Sequence, residues 1–114
     1  MLGDEEMYKK SVSYQDYLIQ SLQDPKEAAG YLNAALDEGD MSVFLLALQN
    51  VIQAQGGISK IAKKIHKSRT SLYKTLSKKG NPYLKNVNEI LDGIGLHLGI
   101  LPRIITRKNY VHWS

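Results

Sequence analysis

Residues 59–82 read SKIAKKIHKSRTSLYKTLSKKGNP, with eight Lys or Arg and no Asp or Glu. Apolar residues nevertheless run through this stretch at helical spacings: Ile61, Ala62, Ile65, Leu72 and Leu76. A solvated basic loop has no use for such a stripe, because residues three and four apart share a face only on a helix. Between the two halves of the stripe stand His66, Lys67 and Ser68, too few for anything but a tight turn. Ser68 is a good N-cap, since its side-chain oxygen can accept from a free amide of the first turn. The stretch therefore predicts two short helices, over 58–65 and 69–79, joined by a tight turn. Inside an all-helical domain that is a helix-turn-helix. Ala62 is the small residue expected where the first helix crosses the second. Ile58, Ile61 and Ile65 bury the first helix, and Leu72 and Leu76 bury the second.

The rest of the chain supplies the helices around this pair. Residues 1–12 read as a loose polar arm, and 13–23 as a short amphipathic segment with Tyr14, Tyr17, Leu18 and Leu22 at helical spacings. Asp24 can cap a helix, with Pro25 in its first turn and Glu27 three residues after the cap. Its stripe is Ala28, Leu32, Ala35 and Leu36, and Gly39 can take the left-handed conformation that ends it. Asp40 can cap the next helix at once. Phe44, Ala47, Leu48, Val51 and Ile52, widened by Leu45 and Leu46, mark it as the central buried helix. Gly56-Gly57 breaks it. After Gly80-Asn81-Pro82, a last helix carries Leu84, Val87, Leu91 and Ile94, with Gly95 as its stop. Leu96, Leu98 and Ile100 then alternate with His97 and Gly99, which predicts a short strand over 96–101. The expected fold is all-α: five to six short helices around one core with a helix-turn-helix, plus a short C-terminal β-strand. Its parts are an arm and short helix at 1–23, a helix-turn-helix domain at 24–101 with its motif at 58–79, and a basic tail at 102–114.

With inward positions assigned, the outward ones follow. Ser59, Lys60, Lys63, Lys64, Lys67, Ser68, Arg69, Thr70, Ser71, Lys74 and Lys78 form a basic, hydroxyl-rich face. Lys and Arg neutralise phosphates and release counterions, which makes double-stranded DNA the partner this face fits. In such a motif the second helix enters the major groove with its N-terminal residues at base edges. Arg69 is then the natural reader of guanine, through a two-pronged hydrogen bond. Ser68 and the first amides of the second helix suit a phosphate. Lys63, Lys64, Lys78 and Lys79 fit backbone contacts, which position without reading sequence. Tyr73, beside Leu72 and Leu76, reads as a core or phosphate-proximal residue.

Charge is divided along the chain. Residues 1–55 hold nine acids and three bases, a net −6, and residues 56–114 hold two acids and twelve bases, a net +10. Such a split suggests two faces with different partners. Asp37, Glu38 and Asp40 make an acidic corner that serves capping or draws a basic protein. The 114 residues suit one domain. There is no cysteine, which removes disulfides and thiolate metal sites. No apolar run approaches the about 20 residues that span a bilayer, and the N-terminus lacks a signal layout. The chain reads as soluble and cytoplasmic, with no membrane partner. His66, His97 and His112 lack metal-ligand spacing, and no phosphate loop, nucleophile elbow or carboxylate pair is present. The reading is of a non-enzyme without cofactor, metal or catalytic residues.

At several places the chain resembles a known family. EAAGYLNAALDEGD, LALQNVIQAQGG, SKIAKKI and SLYKTLSKKGNP, followed by LDGIGLHLGI, are similar to the probable addiction module antidote proteins, HigA-like antitoxins with a Cro-like helix-turn-helix of the XRE type. The resemblance runs from about Tyr14 to Ile100. It implies a small cognate toxin of the RelE/ParE type, encoded alongside, and an operator bound by a homodimer. Carried over by motif position, Ser68, Arg69, Thr70 and Lys74 fall where Cro-like proteins contact DNA. The chain departs from the pattern in the turn, where His66 and Lys67 replace a glycine and an aliphatic residue. Histidine tolerates positive φ better than most residues but less well than glycine. The Lys67 stem can stand in for the missing apolar contact.

The leading expectation is an antitoxin of a type II module that also represses its own operon. A stand-alone phage- or plasmid-type repressor without a toxin is the alternative, and an interaction module that has lost DNA binding is a third. The 96–101 strand has unpaired edges if alone. Pairing with its copy in a second subunit, or with residues near its own N-terminus, would satisfy them.

Overall fold

The computed structural model describes residues 4–77 and 81–103, with side chains from Ser13 onward. These residues form six helices and no strand: α1 (Asp4–Ser21), α2 (Pro25–Asp37), α3 (Met41–Ala54), α4 (Ile58–Lys64), α5 (Arg69–Thr75) and α6 (Leu84–Gly93). α3 is the hub. It packs against α1, α2 and α4, and α4 in turn carries α5 and α6. Leu48 and Val51 on α3 are completely buried, joined by Phe44, Leu45, Ala47 and Ile52. Leu46 departs from the expected wide face and points outward. Leu22, just past α1, closes the core together with Leu32, Ile61, Leu72, Ile90 and Leu91 from α2, α4, α5 and α6.

Local chemistry sets the boundaries. Asp24 accepts from the Lys26 amide at 3.0 Å and caps α2. Asp40 caps α3, accepting from the Ser42 hydroxyl at 2.7 Å and its amide at 2.9 Å. The Ser42 hydroxyl first, and its amide second, hold the Asp40 carboxyl below the usual carboxylate range. Three helices end with one motif, in which two amides past the helix fold back on its last turn. After α3, Gly57 N–H donates to Ile52 C=O at 2.9 Å and Gly56 N–H to Gln53 C=O at 3.3 Å. After α6, Leu96 and Gly95 donate likewise to Leu91 and Asp92. After α4, Lys67 N–H reaches Ala62 C=O at 2.9 Å and His66 N–H reaches Lys63 C=O at 3.3 Å. The pivot residues are Gly56, Gly95 and His66, all at positive φ, and His66 is the non-glycine among them.

Four further expectations need correction. The N-terminal residues from Asp4 are helical rather than loose: Asp4 to Gln23 contains neither glycine nor proline, and Glu, Met and Lys favour helix. α5 stops at Thr75 instead of running to 79. Its end is fixed by α3, where the Gln49 side-chain amide donates to Leu76 C=O at 3.0 Å and occupies a terminal carbonyl. Leu84, expected in the α6 stripe, is exposed at its first turn. Residues 96–103 form no strand, because no second strand lies beside them among the described residues to complete a ladder. Lys78, Lys79, Gly80, His112 and the tail from 104 lie outside the described residues.

Polar side chains on α3 tie the outer helices down. Asn50 donates to the Tyr31 hydroxyl at 2.9 Å and accepts from Gln15 at 3.4 Å. Gln55 donates to Leu22 C=O at 3.2 Å at the end of α1. Leu18 and Leu22 face the core, whereas Tyr14 and Tyr17 face solvent.

Candidate nucleic-acid interface

α4 and α5 are each seven residues long, and their inner sides determine their outer ones. Ile61 and Ala62 are buried on α4, and Leu72, Thr75 and Leu76 at α5. Ser59, Lys60, Lys63 and Lys64 are therefore turned outward on α4, and Arg69, Thr70, Ser71 and Lys74 on α5, with Lys67 and Ser68 exposed between them. All the expected face residues that fall within the described part are solvent-accessible; Lys78 falls outside it.

Besides Arg69, three of these side chains are engaged within the molecule. Ser68 Oγ accepts from the Ser71 amide at 3.0 Å and caps α5. That bond takes up one of the amides otherwise open to a phosphate. The Lys67 ammonium lies 3.2 Å from a Glu89 carboxylate oxygen on α6, both side chains being partly exposed. Pairs of this kind contribute about 0–1 kcal/mol. Lys60 lays its stem across Gly56, where an added Cβ would meet Lys60 Cδ at 2.5 Å. A side chain at Gly56 would displace it.

α5 presents two outward strips. Thr70 and Lys74 form one, and Arg69 and Tyr73 the other, each pair one turn apart. The Arg69 guanidinium carbon lies 5.9 Å from the centre of the Tyr73 ring. Tyr73 is 54% exposed, so of its two expected places, core or near a phosphate, the core does not hold. Its apolar neighbours misled: Leu72 lies about 100° away around the helix. The i, i+4 spacing from Arg69 was the signal that could have found it. Glu89 was missed for a different reason, since no local pattern brings α6 over the turn. Gln49, which reaches the end of α5 from α3, escaped because it too lies far away in sequence.

A second surface lies around the C-terminal segment. An open groove of about 540 Å³ runs between Leu32 and Leu36 of α2, Phe44 of α3, Leu91 of α6 and residues 96–103. Leu98 and Ile100 line it, and Ile100 is 99% exposed. Among the described residues, no three His, Asp or Glu side chains converge to hold a metal ion, and no helix is long and apolar enough to cross a membrane.

Comparison with known proteins adds a family to this geometry. The chain is 32% identical over 83 residues to an uncharacterized protein of Haemophilus influenzae (strain ATCC 51907 / DSM 11121 / KW20 / Rd), an overlap of 73% of this chain and 84% of that protein. No solved structure gives a significant match. The family model described as probable addiction module antidote protein matches residues 12–102, which takes in all of α2 to α6 and most of α1. The chain belongs to the probable addiction module antidote protein family.

Proposed function

We propose that this chain is the antitoxin of a type II toxin–antitoxin module. It neutralises a cognate toxin of the RelE/ParE type and represses its own operon. For repression it uses α4 and α5 as a helix-turn-helix on operator DNA, as a homodimer. Family membership supports the toxin partner. The observation that carries the DNA reading is the outward face of α4 and α5. Lys60, Lys63, Lys64, Arg69 and Lys74 stand exposed on two helices anchored by Ile61, Ala62, Leu72 and Leu76, and residues 59–77 contain no carboxylate. Rigid anchoring matters because a duplex groove is read only by side chains held in register.

Neutralisation is assigned to the other half of the molecule. Tyr14 and Tyr17 are exposed on α1 near Asp16, and Asp24 and Glu27 stand at the start of α2. Asp40, from the acidic corner, is already committed to capping α3. A stand-alone repressor would use the same α4–α5 face without a toxin, so the decisive experiment addresses the partner. The chain is co-expressed with the product of the gene adjoining its own. Rescue of growth and co-purification of the two proteins is the expected result. A neighbour that is harmless by itself and does not co-purify would leave the stand-alone repressor as the function.

A further inference from the structure

We propose that Tyr73 is a positioning residue for sequence readout, holding Arg69 in the orientation that recognises guanine. The inference rests on the reading of α5 as the groove-entering helix. Arg69 is the first residue of α5 and Tyr73 follows one turn later. Helical side chains lean toward the N-terminus, so the Tyr73 ring is carried back beneath residue 69. The 5.9 Å separation of guanidinium and ring centre falls within the range of a cation–π contact.

The chemistry of the pair favours recognition over mere packing. A guanidinium is planar and keeps its N–H donors in its own plane, so a contact made through one face leaves the two-pronged edge free. That edge is what matches guanine O6 and N7. A free arginine on an exposed helix start would lose considerable rotamer freedom on binding a base. Tyr73 removes part of that freedom beforehand. Both side chains are exposed, and among the described residues no carboxylate bridges to Arg69. Among the described residues no aromatic ring lies against the Lys74 ammonium on the neighbouring strip, and Lys74 with Thr70 fits contacts that tolerate a looser geometry.

The test starts from a random-sequence duplex library, from which the wild-type protein selects its preferred site. Fluorescence anisotropy then compares that duplex, the same duplex with one guanine replaced, and an unrelated duplex. Wild type and Tyr73→Phe are expected to share one guanine preference. Tyr73→Leu, and Tyr73→Gln beside it, should lose about 2- to 5-fold of that preference, the range of an exposed cation–π contact, with unchanged affinity for the unrelated duplex. Arg69→Ala should abolish the preference, and adding Tyr73→Leu to it should change nothing further. Circular dichroism checks that each variant is folded. Full preference retained in Tyr73→Leu overturns the proposal. Equal weakening on all three duplexes also overturns it, because Tyr73 would then be a plain backbone contact. A wild-type protein that binds no duplex sinks the helix-turn-helix reading itself, a result distinct from either.

Discussion

His66 stands at φ +59°, in the left-handed region, between two backbone hydrogen bonds that close α4. A side chain there crowds the following carbonyl, which costs roughly 1–2 kcal/mol and less for polar residues. The equivalent pivots after α3 and α6 are Gly56 and Gly95, which carry no such crowding. Both hydrogen bonds at His66 come from main-chain amides, so they survive replacement of the side chain. His66→Gly should therefore stabilise the fold by about 0.5–1 kcal/mol, after subtracting the greater freedom glycine has when unfolded. Urea denaturation with an unchanged slope would establish it. A loss of stability would mean that the imidazole makes a contact worth more than the strain it carries.

At the scale of elements, the orientation of α4 depends on α6 through Gly93. A Cβ built on Gly93 would lie 2.8 Å from Ile65 Cγ2 and 3.2 Å from Ile61 Cγ2. Both neighbours are β-branched and have little rotamer freedom to retreat. Overpacking costs about 1–3 kcal/mol, against about 0.5–1 kcal/mol gained by alanine over glycine in a helix. Gly93→Ala should thus destabilise the protein by about 1 kcal/mol, read as a lower midpoint in chemical denaturation; an unchanged or higher midpoint would show that α6 can move off α4 freely. Nothing in the sequence marks Gly93, because its partners lie some thirty residues upstream. The legible features were local ones. Asp24, Asp40 and Ser68 announce helix starts, and Gly39, Gly56 and Gly95 announce helix ends, because caps and left-handed turns involve only adjacent residues. The α4–α5 face was legible too, since burying Ile61, Ala62, Leu72 and Leu76 leaves the cations only one side to occupy. The length of α5 was not, because Gln49 on another helix ends it. Alternation over 96–100 misled, since a two-residue period supplies side-chain pattern but no hydrogen-bonding partner.

For the whole molecule, the charge divided along the chain becomes charge divided between groups of helices. The acidic residues of 1–55 belong to α1–α3 and their connections, while the cations of 59–77 stand on α4, α5 and the turn between them. A duplex approaching α4–α5 thus meets cations anchored on a rigid support, with carboxylates concentrated elsewhere. All six of these cations are exposed, and among the described residues Lys60, Lys63, Lys64, Arg69 and Lys74 pair with no carboxylate. With Arg69 at a base edge, the four lysines are left for phosphates, and counterion release gives a slope of about −3.6 per chain in log affinity against log salt. From about 50 to about 200 mM salt, affinity for any duplex should then fall roughly 10²- to 10³-fold. Lys67 is the exception, because Glu89 already neutralises it at 3.2 Å. Contact with a phosphate would require that pair to part, and the freed carboxylate would repel the backbone. Glu89→Gln should accordingly tighten binding to all duplexes without changing sequence preference, and steepen the slope by about one. Lys63→Ala should flatten it by about as much. Anisotropy titrations over a salt series measure both. A steepened slope in Glu89→Gln would place the turn between α4 and α5 against the DNA backbone. An unchanged slope beside a flattened Lys63→Ala would place that turn away from the duplex and leave the pair a purely structural link between α6 and the turn.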